Sequence, residues 1–130
     1  NWESFRNLAN SKNYLSLIFI DSNKIQSDTW VSKVSNLGDL KAKIISFGLD
    51  CIKIDGHDLS KIYNKIKKFF NRKKKKPLIV ICDTQKSSGI DFAETKNFET
   101  NNNFYKYHSG ALEEKDYKNA IKILNEKIYK

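Results

Sequence analysis

The chain has 130 residues, enough for one domain or part of one and too few for two. Its 39% hydrophobic and 12% aromatic content excludes a disordered segment, and its longest apolar run, ending at Ile20, is strand-sized and excludes a membrane-spanning helix. The net charge of +9 raises a nucleic-acid-binding class. Much of that excess lies on Lys-rich faces and in one run, Arg72 to Lys76, between a helix and a strand, where a solvated loop is the expectation.

In chain order, Trp2, Phe5 and Leu8 stand at helical spacing and predict a helix over 2–12, closed by Asn13. Tyr14 to Ile20 reads as a strand whose Leu17-Ile18-Phe19-Ile20 core lacks polar alternation, the mark of a strand covered by helices on both faces of a parallel sheet. Asp21 to Ser35 reads as a polar loop with an isolated Trp30. Leu37, Leu40, Ile44 and Phe47 mark a second helix with Gly48 as its C′ residue. A strand follows over Leu49 to Ile54. The turn Asp55-Gly56-His57-Asp58 then leads, with Asp58 as N-cap, into a helix carrying Leu59, Ile62, Tyr63, Ile66 and Phe69-Phe70 on one face. Pro77 opens the strand Leu78 to Cys82. A long loop from Asp83 to Gly110 is expected to be functional or disordered, and Tyr117, Ala120, Ile121, Leu124 and Ile128 define one face of a closing helix over Glu113 to Lys130.

The fold class expected is therefore α/β, a parallel sheet covered by helices, with ligands beyond the C-terminal strand ends. Those ends are Asp21 to Gln26, Asp55 to Asp58 and Asp83 to Lys86, each polar and each directly after an apolar strand. Asn23 is placed to offer an amide oxygen, a hard neutral donor suited to Mg²⁺ or Ca²⁺; the plainer reading is an Asx-turn leaving the sheet. Cys51 and Cys82 sit in apolar strands without metal-ligand spacing and read as buried, reduced thiols of a cytoplasmic protein. The N-terminal residues lack the pattern of a signal peptide, and the absence of Met implies that residue 1 is not the natural start.

Several segments resemble transketolases, in order and with that family's spacing. Asp21-Ser22-Asn23-Lys24-Ile25-Gln26 is similar to the family's D-x-N-x-[IL]-x. Phe47-Gly48 through Asp55-Gly56-His57-Asp58 is similar to its F-G to D-G-H-D stretch. Lys76-Pro77 with Thr84-Gln85-Lys86 is similar to K-P, strand, T-x-K-G-x-G, and His108-Ser109-Gly110 with Glu113-Glu114 to H-G-x-P-x-x-E-E-Y. Trp2-Glu3 matches the Trp-Glu of the helix before the metal loop.

The resemblance implies that residues 1–130 are the later half of a thiamine-diphosphate-binding domain. It implies that the Asn23 side-chain oxygen and the Ile25 carbonyl bind the Mg²⁺ (or Ca²⁺) that holds thiamine diphosphate. His108 is implied to reach the cofactor diphosphate and the reacting substrate. Asp55-Gly56 is implied to be a structural turn, with His57 a loop histidine. The reaction implied is transfer of a two-carbon ketol unit between sugar phosphates, with a pyrimidine-binding domain or subunit as partner in a homodimer or heterotetramer. The family's first metal ligand, an Asp in a G-D-G segment, falls upstream of Asn1, so the piece by itself is not expected to be catalytic.

The sequence departs from the pattern at Ser87-Ser88-Gly89, where the family has G-x-G, at Asp28-Thr29, where it has Asp-Gly, and at Leu112, where it has Pro. Alternatives are a deoxyxylulose-phosphate synthase-like enzyme of the same fold, a basic α/β module binding nucleic acid through Arg72 to Lys76, or a non-catalytic paralogue that assembles with a partner subunit. Without aromatic interleaving or a helix-turn-helix, nucleic acid is not the expected ligand, and no membrane is expected.

Overall fold

The computed structural model describes residues 2–11, 14–73, 76–95 and 105–128. It divides into two compact units, residues 1–23 with 37–84, and residues 24–36 with 85–130.

The first unit is built on three parallel strands, β1 (Leu17–Ser22), β4 (Asp50–Asp55) and β5 (Leu78–Asp83), in the order β1-β5-β4. Its helices are α1 (Trp2–Asn10), α3 (Leu40–Ser46) and α4 (Leu59–Asn71). The second holds the hairpin β2 (Ile25–Gln26) and β3 (Thr29–Trp30), the short helix α2 (Val31–Val34), a 3₁₀ turn over Asp91–Ala93 and the helix α5 (Glu114–Ile128). The α/β class with a helix-covered parallel sheet is thus the observed one.

The central place of β5 follows from its sequence. A strand with neighbours on both edges and helices on both faces must be apolar at every position, and Leu78 to Cys82 are all buried. Its side chains alternate between two clusters. Ile79 and Ile81 pack with Ile44, Leu49 and Cys51 beneath Phe5, Leu8, Ala9 and Leu40 of α1 and α3. Leu78, Val80 and Cys82 pack with Ile54 and Phe69, flanked by Ile62 of α4. Burial pushes the Cys51 and Cys82 thiols above their usual range, and the charge of Asp21 adds to the rise at Cys82.

The predicted caps hold. Asp58 accepts a 2.8 Å hydrogen bond from the Lys61 backbone N–H, and Gly48 follows α3 at φ +89°. Asp39 caps α3 in the same way, accepting from Ala42 N–H at 2.9 Å.

Several expectations are corrected. The first strand starts at Leu17 rather than Tyr14, and its second face is only partly covered; Ile18 and Ile20 pack against one cluster and Leu17 against the other, whereas Phe19 is 43% exposed. Among the described residues β1 lies at the edge of the sheet, so α4 covers β4 and β5 and leaves Phe19 at the margin. On α4, Ile62 and Phe69 turn inward, but Leu59, Tyr63 and Phe70 are exposed. The segment 21–35 is not a plain loop, because it contains the β2–β3 hairpin and α2. The apolar face of α5 exists, but only Ala120 is buried, with Tyr117 56% and Ile128 71% exposed. The first helix ends at Asn10, short of the expected Lys12; the closure at Asn13 and the end of the last helix at Lys130 lie outside the described residues.

The basic run stands at the end of the sheet where β4 and β5 begin. The Arg72 guanidinium stacks 4.2 Å from the Phe69 ring centroid and lies 3.5 Å from the Asp50 carboxylate, and Lys76 Nζ donates to the Gly48 carbonyl at 3.1 Å. Both ends of the run thus have structural partners; Lys74 and Lys75 lie outside the described residues.

Candidate functional site

Parallel strands bring their C-terminal ends to one edge. The register pairs Ser22 with Asp83 and Asp55 with Asp83, so all three polar strand ends read from the sequence stand side by side. Lys53 reaches up β4 to meet Asp83 at 2.9 Å, balancing one of these carboxylates. Gly56 begins the turn after β4 and donates its N–H to the Asp83 carbonyl at 2.8 Å. That close approach is why the turn needs glycine. A Cβ at position 56 would lie 2.9 Å from Cys82 Cβ and would overlap the Thr84 methyl group. His57 is exposed, and its backbone N–H donates to Asp55 Oδ1 at 2.9 Å, which makes Asp55-Gly56-His57 an Asx-type turn.

Asn23 follows β1 directly and is half-buried. Its Nδ2 donates to Asp21 Oδ2 at 2.9 Å, and the other oxygen of Asp21 accepts from the Thr84 hydroxyl just beyond β5. The sequence reading placed Asn23 at this edge but did not give Asp21 or Thr84 a part. Their tie spans 63 residues and becomes visible only once β1 and β5 are known to be neighbours.

In the second unit, Ile25 is buried with Tyr105, flanked by Trp30 and Tyr107. Ile25 is in register with Trp30 across the hairpin, and Val31 N–H donates to the Lys24 carbonyl at 2.8 Å. His108 is exposed, with its Nδ1 2.7 Å from Lys86 Nζ. Lys86 in turn lies 4.8 Å from the Tyr105 ring centroid.

The described part of the long loop is organised by residues that periodicity could not single out. Glu94 is buried and accepts from Gln85 Nε2 at 2.9 Å and from Gly89 N–H at 3.0 Å. The Tyr105 hydroxyl donates to the Ala93 carbonyl and shares a short hydrogen bond with Ser87 Oγ. Ser87 holds φ +56° at the position where the family pattern has its first glycine. Among the described residues, no three His, Cys, Asp or Glu side chains gather into a metal cluster. The Asn23 side chain offers one neutral, hard oxygen of the kind that Mg²⁺ accepts beside phosphate oxygens and water.

No family profile matches the chain. It is 26% identical over 124 residues to an uncharacterised transketolase family protein, y4mO, of Sinorhizobium fredii, covering 95% of this chain and 42% of that protein. It is 31% identical over 80 residues to the 6-deoxy-6-sulfo-D-fructose transketolase subunit SqwG of a Clostridium species, covering 62% of this chain and 29% of the relative. The chain spans less than half the length of the curated relatives it matches. Among solved structures, transketolase from Campylobacter jejuni superposes with a TM-score of 0.75 at 23% identity over 93% of this chain and 17% of that one. The fold is thus the α/β fold found in transketolases. The curated relatives it matches are named as a transketolase family protein or as transketolase subunits.

Proposed function

We propose that this chain is the later half of the thiamine-diphosphate-binding domain of a transketolase. The whole protein, on this reading, transfers a two-carbon ketol unit between sugar phosphates. The observation that carries the reading is Asn23, which follows β1 at the polar edge of the sheet with its amide nitrogen engaged by Asp21. That engagement points the amide oxygen away from the carboxylate, as a cation ligand requires. The Ile25 carbonyl, the second donor that the family resemblance implies, is likewise a hard oxygen suited to Mg²⁺.

When bound, thiamine diphosphate supplies the carbanion stabilisation on which ketol transfer depends. The chain's own residues bind and orient. Asn23 and Ile25 hold the cation that anchors the diphosphate. His108 offers its ring to the diphosphate and substrate oxygens, with Lys86 against its other nitrogen. The pyrimidine-binding domain or subunit and the remaining metal ligand come from other parts of the protein. Two relatives are named as transketolase subunits, which supports assembly with a partner subunit.

The test is Asn23→Ala in the full-length protein. Mg²⁺-dependent binding of thiamine diphosphate should weaken by about tenfold or more, as loss of a directly bound donor costs at least what loss of its supporting partner does. Unchanged cofactor affinity would remove Asn23 from the site.

A further inference from the structure

We propose that Asp21 is the positioning residue for Asn23, fixing which end of its amide faces the cation. The inference rests on Asn23 being a cation ligand and adds what makes it one. A side-chain amide presents an oxygen or an NH₂ group from nearly the same shape, and only the oxygen attracts a cation. A carboxylate accepts hydrogen bonds and cannot donate them, so the end of Asn23 that faces Asp21 must be the NH₂. The Nδ2 to Oδ2 distance of 2.9 Å is that contact.

Asp21 can fix Asn23 only if it is itself fixed. Its second oxygen accepts the Thr84 hydroxyl, and the backbone of Asp21 is in register with Cys82 on β5. The carboxylate is thereby tied across two adjacent strands, one oxygen on each side chain. Asn23 inherits the rigidity of the sheet although it lies one residue beyond it. Such a partner is not a ligand; it reduces the conformations the ligand must give up on binding.

The experiment titrates Mg²⁺ into the full-length protein with saturating thiamine diphosphate, by calorimetry, for Asp21→Ala, Asp21→Asn, Thr84→Val and Asn23→Ala. Asp21→Ala should weaken Mg²⁺ binding by about tenfold, within the range found for partners of metal ligands. Asp21→Asn keeps an oxygen that accepts from Asn23, so it should stay within about threefold of the natural protein, with Thr84→Val between the two. A second measurement is independent of the metal: hydrogen exchange of the Asn23 side-chain NH₂ in the cation-free protein should speed up in Asp21→Ala and not in Asp21→Asn. If Asn23→Ala loses Mg²⁺ binding while Asp21→Ala keeps it, the positioning role is overturned and Asn23 stands as ligand. If Asn23→Ala keeps it too, the ligand assignment itself has failed. Equal losses in Asp21→Ala and Asp21→Asn would overturn the proposal in favour of a role for the negative charge alone. Should Asp21→Ala fail to fold, Thr84→Val and Asp21→Asn decide, since unchanged NH₂ exchange in Thr84→Val would overturn the tie to β5.

Discussion

The ammonium of Lys86 lies 2.7 Å from Nδ1 of His108, and this contact fixes the state of the imidazole. A lysine ammonium donates only, so Nδ1 must accept, and the proton of the neutral ring sits on Nε2. The ammonium is steadied by the Tyr105 ring. Nitrogen-15 NMR of the full-length protein should therefore find His108 predominantly as the Nε2–H tautomer. Lys86→Met should bring in the other tautomer and lower activity, while Lys86→Arg, which also only donates, should preserve the natural pattern. An unchanged tautomer in Lys86→Met would show that the contact does not set it.

Gly56 has no room for a side chain at the C-terminal sheet edge. Its backbone touches Asp83, and a methyl group there would meet Cys82 Cβ, the Asp83 carbonyl and the Thr84 methyl. Gly56→Ala should destabilise the protein by about 1–3 kcal/mol, the usual cost of overpacking a fixed site. Denaturant unfolding should show a lower midpoint at unchanged slope. Because Thr84 is one of the groups displaced, the same variant should also disturb the Asp21–Thr84 hydrogen bond. A midpoint equal to that of the natural protein would mean that the turn relaxes without cost.

Asp58 links α4 to pH. The Lys61 backbone N–H, and then the Lys61 ammonium at 3.0 Å, hold its carboxyl below the ordinary aspartate value of 3.8. A carboxyl whose pKa is lowered by folding stabilises the folded state fully above its unfolded value, and that contribution disappears as pH falls through the folded value. Asp58→Ala should thus lower the melting temperature at neutral pH, and its difference from the natural protein should shrink as the pH drops below about 4. Asp58→Asn keeps the cap but cannot titrate, and should lose that pH dependence. Thermal melts of the three proteins across this range check the sign.

Legibility followed the range of the interactions. Leu78 to Cys82 announce a central strand because burial on every side demands an unbroken apolar run, and Asp58 and Gly48 announce helix ends because capping is local. The β2–β3 hairpin was hidden because two-residue strands carry no alternation, and its tip, Ser27-Asp28, turns with Ser27 at φ +57° instead of using glycine. Glu94 and Tyr105 hold the loop through contacts with residues 85–93, and no periodicity marks them. The same limit applied to the candidate site. Asn23 and His108 are expected from motif position alone, whereas Asp21 and Lys86 enter only through partners that folding brings to them.

Ser87 is where the departure from the family pattern can be weighed. Its φ of +56° is the left-handed conformation that glycine adopts freely and serine adopts at a cost. The hydroxyl bond to Tyr105 offsets the strain. Ser87→Gly would relieve about 1 kcal/mol of left-handed strain and forfeit a hydrogen bond of about the same size, so its stability should stay within about 1 kcal/mol of the natural protein. Ser87→Val loses the hydroxyl and adds a β-branched side chain at positive φ, and should cost about 2 kcal/mol or more. Denaturant unfolding of both variants distinguishes the terms. If Ser87→Val matches Ser87→Gly, position 87 does not hold its left-handed conformation in solution, and the lost glycine has no structural cost.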